Sequence, residues 1–134
     1  MQDIVTLNKG VMALTSRSIA TNTTNTGDSI DLAGFNSAGF YIFSGTLTDG
    51  VFTPSIEDSD DNTNWTAVSA SNLNKTIATA TFAATDDNVC KSIGYIGSKR
   101  YVRLKIVSTG VTSGGTLVAV AFLGTPVFAP VSGN

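Results

Sequence analysis

A chain of 134 residues that is 42% hydrophobic can build one core of ordinary size without staples. Only 13% of it is charged and the net charge is −2, which excludes a disordered polyelectrolyte and leaves no basic excess to drive nucleic-acid binding. With no histidine and a single cysteine, Cys90, it excludes Ser-His-Asp and Cys-His triads, histidine metal ligands and an intrachain disulfide.

The first 27 residues show apolar content without a clean period, and ATNTTNTGD is a polar stretch that belongs in water. They read as an irregular N-terminal arm with a short strand around Val11 to Leu14. No basic segment followed by an apolar one is visible there, so no secretion signal is expected. From Ser29 the period sharpens. SIDL alternates, with Ile30 and Leu32 on one face. AGFYIFSGTLT sets Phe40, Ile42 and Ser44 against Tyr41 and Phe43. Both faces are apolar, which predicts a central strand covered on both sides. Thr48 to Gly50 is a turn, and VFTPSIED follows with Phe52 and Ile56 in period two. Pro54 cannot donate to a ladder and places this strand at an edge or a bulge.

IEDSDDNTNW, residues 56–65, comes next, followed by a polar loop over 69–74 and KTIATATFA as a half-exposed strand. Thr85 to Asn88 is a second turn. NVCKSIGYI alternates up to the break at GSK. RYVRLKIVS is the clearest amphipathic strand, with Val102, Leu104 and Ile106 facing one way and Tyr101, Arg103, Lys105 and Val107 the other. A one-residue slip would bury two charges, so its register is firmly set. TGVTSGG is a hairpin connection. TLVAVAFLG is apolar on both faces and predicts a buried central strand, and its run Leu117 to Leu123 is far too short to span a membrane. Pro126 and Pro130 end regular structure.

Of ten acidic residues only Glu57 is a glutamate, and aspartate favours caps and turns over helix interiors. About eight strands and no helix therefore predict an all-β antiparallel sandwich of two sheets, jelly-roll-like, with an immunoglobulin-like sandwich as the alternative. The expected division is an arm over 1–27, the sandwich over 28–125 and a tail over 126–134.

Several segments invite a chemical reading. Asp58, Asp60, Asn62 and Asn64 alternate like a calcium loop. However, Thr63 and Ser69 stand where an EF-hand needs glycine and a bidentate glutamate, so the stretch reads as a hairpin tip. Lys99, Arg100, Arg103 and Lys105 near Tyr101 could grip an acidic partner or a phosphate chain, against the plainer reading of a solvated sheet face. Cys90, lacking an activating histidine, reads as a small buried hydrophobe. Trp65 reads as core or rim packing rather than a sugar platform. TSGGT has no Walker spacing and is a turn. No catalytic residue, metal or cofactor is expected.

In order and texture, the segments SIDL, GFYIFSGTLTDG, SIEDSDDNTNWTAV and IGSKRYVRLKIVSTGVTSGGTLVAVAFLG, over about 29–125, resemble head decoration or cement proteins of tailed bacteriophage virions. That resemblance implies a non-enzymatic jelly-roll-like protein on the capsid exterior, assembled in the host cytoplasm. Its partners would be the major capsid protein and further copies of itself as a dimer or trimer, with no nucleic acid and no membrane. The alternative is a receptor- or carbohydrate-binding module of a phage tail or baseplate. Terminal segments could clasp a neighbour, so the expected interface residues are Ile4, Val5, Leu7 and Val11, with Pro126, Val127, Phe128 and Pro130.

Overall fold

A computed structural model describes residues 4–126. After a one-turn helix α1 (Ile4–Leu7), the chain forms ten strands: β1 (Lys9–Ile19), β2 (Thr24–Thr26), β3 (Ile30–Asp31), β4 (Phe35–Leu47), β5 (Val51–Ser59), β6 (Thr66–Ala67), β7 (Phe82–Ala83), β8 (Cys90–Tyr95), β9 (Tyr101–Thr109) and β10 (Gly115–Pro126). They make two antiparallel sheets. The first has the order β1-β10-β4-β8. The second has the order β2-β9-β5-β6, with β3 added on β9 and β7 on β5. The opening strand β1 pairs with the closing strand β10, and most connections cross from one sheet to the other. This is the winding of a jelly roll, and it sets aside the immunoglobulin alternative.

The core lies between the sheets. From the second sheet Val102, Leu104 and Ile106 point in beside Phe52 and Ile56, all essentially inaccessible. From the first sheet, inward rows run across the strands: Phe40 beside Ala121, and Ile42 beside Ala119 and Leu14. Small side chains on the central β10 sit between larger ones on its neighbours, which lets the layers fill without overpacking.

Four differences from the sequence reading have physical causes. The supposed N-terminal arm holds β1, an eleven-residue strand of the first sheet, so the sandwich takes in residues from Lys9 onward. Its period was hidden by two register shifts, between Met12 and Leu14 and between Leu14 and Arg17. Ala13 and Leu14 are consecutively buried and Thr15 and Ser16 consecutively exposed, as bulges allow. Second, KTIATATFA contains a 3-10 turn at Ile77–Ala80 and only two residues of strand. That turn packs against β5. Third, Pro54 lies in a strand paired along its whole length with β9. Its other side meets β7 at Val51 and Phe52 and β6 at Glu57 and Asp58, and the proline falls in the gap between, where no ladder bond is asked of it. Fourth, β4 and β10 are central but covered on one face only: Tyr41, Phe43 and Phe122 are about two-fifths exposed.

Loop aspartates lock the connections. Asp49 accepts backbone N–H bonds from Thr112, Ser113 and Gly114 at 2.8–3.1 Å, which ties the β4–β5 turn to the β9–β10 turn. Asp87 accepts the Leu47 N–H at 2.7 Å, and Asp86 takes both the Ala83 N–H and the Lys91 ammonium. Gly50 and Gly114 adopt positive φ in these turns, and a Cβ at Gly114 would lie 1.7 Å from the Ile19 carbonyl oxygen, so glycine is required there.

Candidate interaction surface

The acidic hairpin tip is a self-contained turn. The Asp61 carboxylate accepts the backbone N–H groups of Thr63 (2.9 Å) and Asn64 (2.8 Å) and the Asn64 side-chain amide (2.8 Å). These bonds hold its carboxyl well below the usual carboxylate range. Asn62 takes the left-handed conformation that asparagine tolerates. Asp60 pairs with Lys99, and Asp58 turns inward, where the buried Tyr95 hydroxyl donates to it at 2.9 Å. The same hydroxyl accepts the Lys99 backbone N–H at 3.0 Å. Burial, with the Asp58 hydrogen bond and charge behind it, pushes the Tyr95 hydroxyl up to about 12. Among the described residues, no group of three or more acidic or cysteine side chains is gathered as a metal site would need.

The two sheets present outer faces of opposite character. On the second, Arg103 and Lys105 point outward as their strand pattern predicts, and both engage Glu57, at 2.7 and 3.5 Å. Arg103 also stacks on Trp65, 4.4 Å from the ring centroid, so the tryptophan is rim packing beneath a cation. Arg100 makes a two-pronged pair with Asp31 at 2.9 and 3.0 Å. The basic stripe is thus threaded with acids and does not form a free cationic patch.

Among the described residues, the outward rows of the first sheet hold no charged side chain, and the cations Lys75 on Ser92 and Arg17 on Thr15 stand at its two edges. Strand register sets Met12, Val120, Tyr41 and Ser92 in one row. Val118, Phe43 and Cys90 form the next. Phe122 stands between Gly10 and Gly39, edge-on to Tyr41 with ring centroids 5.6 Å apart. Lys75 reaches only the margin, donating to Ser92 Oγ at 3.0 Å. Cys90 is exposed here, which corrects the expectation that it would be buried. The alternation that buried Ile93 and Tyr95 leaves Cys90 on the outward parity. Beside the rings, a hollow of about 270 Å³ runs from Tyr41 and Phe122 past Gly39 to Asn8 and Gly124. A Cβ at Gly39 would make only ordinary contacts, 3.6 Å to the Ile93 oxygen, so packing within the domain does not demand glycine there.

The expected interface residues separate into groups. Lys9 pairs with Leu123, so Ile4, Val5 and Leu7 before it and Pro126 after it come to the same end of the sandwich. Ile4 and Val5 are well exposed there. Val11 instead packs against the core from within β1. Val127, Phe128 and Pro130 lie outside the described residues. At the same end of the fold as Phe35, a cleft of about 650 Å³ lies between the β3–β4 and β8–β9 loops. It includes Leu32, Phe35 and Ile96, and its two cations, Lys99 and Arg100, are each held by an aspartate.

No protein-family model matches the chain, and no curated protein matches it by sequence. Solved structures do share its fold. The PBSX exported protein XepA superposes with a TM-score of 0.56 at 21% identity, over 94% of this chain and 40% of that one. The infectious bursal disease virus VP2 subviral particle superposes with a TM-score of 0.52 at 14% identity, over 87% of this chain and 32% of VP2. This chain therefore spans two-fifths or less of either protein. The SPBc2 prophage-derived protein YomS is matched over 98% of its length with a TM-score of 0.46. The likeness shows the fold, an antiparallel jelly-roll sandwich.

Proposed function

We propose that this protein is a non-enzymatic structural component of a phage virion, a decoration protein that binds the outer capsid surface and bridges major capsid subunits. The observation that carries the reading is the division of its surface. The polar side chains that suggested chemistry are engaged in turns and ion pairs, while the middle of one sheet face, around Tyr41, Phe43 and Phe122, is apolar and free of charged side chains among the described residues, as surfaces that meet other proteins are. The fold shared with a viral particle protein supports the same reading. Binding at many equivalent sites would let a modest contact of about 1,200–2,000 Å² at each site stiffen a shell. The exposed Ile4 and Val5 beside Pro126 are suited to clasp a capsid subunit.

Co-sedimentation of the purified protein with undecorated phage capsids tests this. Saturable binding at a fixed ratio to the major capsid protein, and a higher temperature of DNA release from decorated heads, are expected. Shells that neither bind it nor gain heat resistance would refute the assignment. The carbohydrate-binding alternative is less well served, because Trp65 is already covered by Arg103. A glycan array separates the two.

A further inference from the structure

We propose that the outer face of the first sheet is a self-association surface, packing against the same face of a second copy of this chain. The inference deepens the capsid reading and rests on it for the expectation of further copies: it gives this face to a second copy and leaves the capsid contact to the terminal segments at Ile4 and Val5.

Three observations choose this occupant. The first is shape. A two-fold interface uses one patch twice, so that patch must carry both projections and the recesses that receive them. Here Tyr41, Phe43 and Phe122 project, and the hollow beside Gly39 is walled by Tyr41 and Phe122 on the same face. A recess of 270 Å³ accepts an aromatic ring, since ~150 Å³ holds a benzene. Gly39 keeps that recess open although its own domain would tolerate a side chain.

The second is charge. Face-to-face contact brings like side chains near one another across a two-fold axis, which a charged face resists and an uncharged one does not. The second sheet's face, with Arg103, Lys105 and Glu57, fails this condition, and the first sheet's meets it across its middle, with the cations Lys75 and Arg17 confined to the two edges. The third is area. Four strands about 4.8 Å apart, paired over ten positions at the centre and eight and six towards the edges, at about 3.3 Å per residue, give a face on the order of 500–600 Å². Two such faces bury roughly 1,000–1,200 Å², the lower end of specific interfaces, and sheets pack well at ~10 Å spacing. The dimer is expected to dissociate in the micromolar range.

Sedimentation velocity of the full chain from 1 to 200 µM tests the proposal, with Tyr41→Lys as the disrupting variant and Thr24→Lys, exposed on the other sheet, as the control. Wild type and Thr24→Lys should dimerise with constants within about twofold of each other, and Tyr41→Lys should raise the dissociation constant at least 100-fold. Cys90 gives a readout that needs no variant: its reaction with a maleimide should slow at least fivefold between dilute and concentrated protein. A wild type that stays monomeric at 200 µM, a dimer indifferent to Tyr41→Lys, or a Cys90 rate independent of concentration would each overturn the proposal. So would a Tyr41→Lys protein that still dimerises but no longer sediments with capsids, which would give the face to the shell. A monomer that still binds capsids would refute this inference alone and leave the decoration reading standing.

Discussion

The Tyr95 hydroxyl is the joint between the acidic tip and the β8–β9 turn, and Tyr95→Phe removes it while keeping the ring. The side chain is 4% exposed, so little water can replace what is lost. Two partners are affected. Asp58, itself 8% exposed, loses its hydroxyl donor, and the Lys99 N–H loses its acceptor. A hydrogen bond to a charged group contributes about 1.5–3 kcal/mol, and a stranded buried N–H adds about 1 kcal/mol. The expected destabilisation is therefore about 2–4 kcal/mol, or roughly 6–15 °C in Tm for a domain of this size. Urea unfolding followed by Trp65 fluorescence measures it. The double variant Asp58→Leu with Tyr95→Phe removes the stranded carboxylate as well. It should be less destabilised than the two single changes summed, by at least 1 kcal/mol. A Tyr95→Phe protein within 0.5 kcal/mol of wild type would refute the reasoning, because it would mean that water reaches both partners freely.

Three further outcomes follow from the same structure. The Tyr95 hydroxyl is raised in the fold, so its contribution is complete below the unfolded value near 10 and is lost as pH rises from about 10 through about 12. Absorbance at 295 nm should accordingly show the Tyr95 phenolate forming only near 12 or on unfolding. Asp31, Asp49, Asp61 and Asp86 are depressed by the Arg100, Gly114, Asn64 and Ala83 bonds that head their respective causes. Their contribution is full above about pH 4 and is lost as pH falls below it, so a urea midpoint flat from pH 7 to 5 should drop steadily towards pH 2. Ile106→Ala, at a site with no exposure and tight neighbours, should cost about 2–5 kcal/mol by chemical denaturation, whereas Val51→Ala on the exposed edge of β5 should cost under 1 kcal/mol.

What could be read in the sequence depended on whether local pattern and global position agreed. Val102, Leu104 and Ile106 alternate cleanly because their strand has no bulge and one charged face, and the structure places them as the pattern says. The turns were legible because aspartate, asparagine and glycine act within a few residues of themselves. Residues 9–19 failed for the opposite reason: two bulges shift the parity of β1, and only its partner β10 reveals that it is a strand throughout. The apolar outward residues of β4 and β10 showed that these strands need apolar surroundings but could not say what supplies them. The same ambiguity hid the outer face. Tyr41 and Phe122 are eighty-one positions apart, and only the β4–β10 register brings their rings together.

The same sheet also limits how copies paired through that face, as proposed, could grow further. A flat, uncharged sheet with open edges risks endless edge-to-edge growth. In the first sheet, the edge strand β1 is bent by two bulges, and β8, six residues long, is shielded at Gly94 by the Asn74 side chain, which accepts its N–H at 2.6 Å. In the proposed dimer, association would thereby be confined to the face, where a two-fold pairing closes on itself. On this proposal the charge distribution selects the surface offered, and the guarded edges limit pairing to two. If Asn74→Ala left the protein dimeric and soluble, with no concentration-dependent growth beyond the dimer, the edge would need no such guard and that half of the argument would fall.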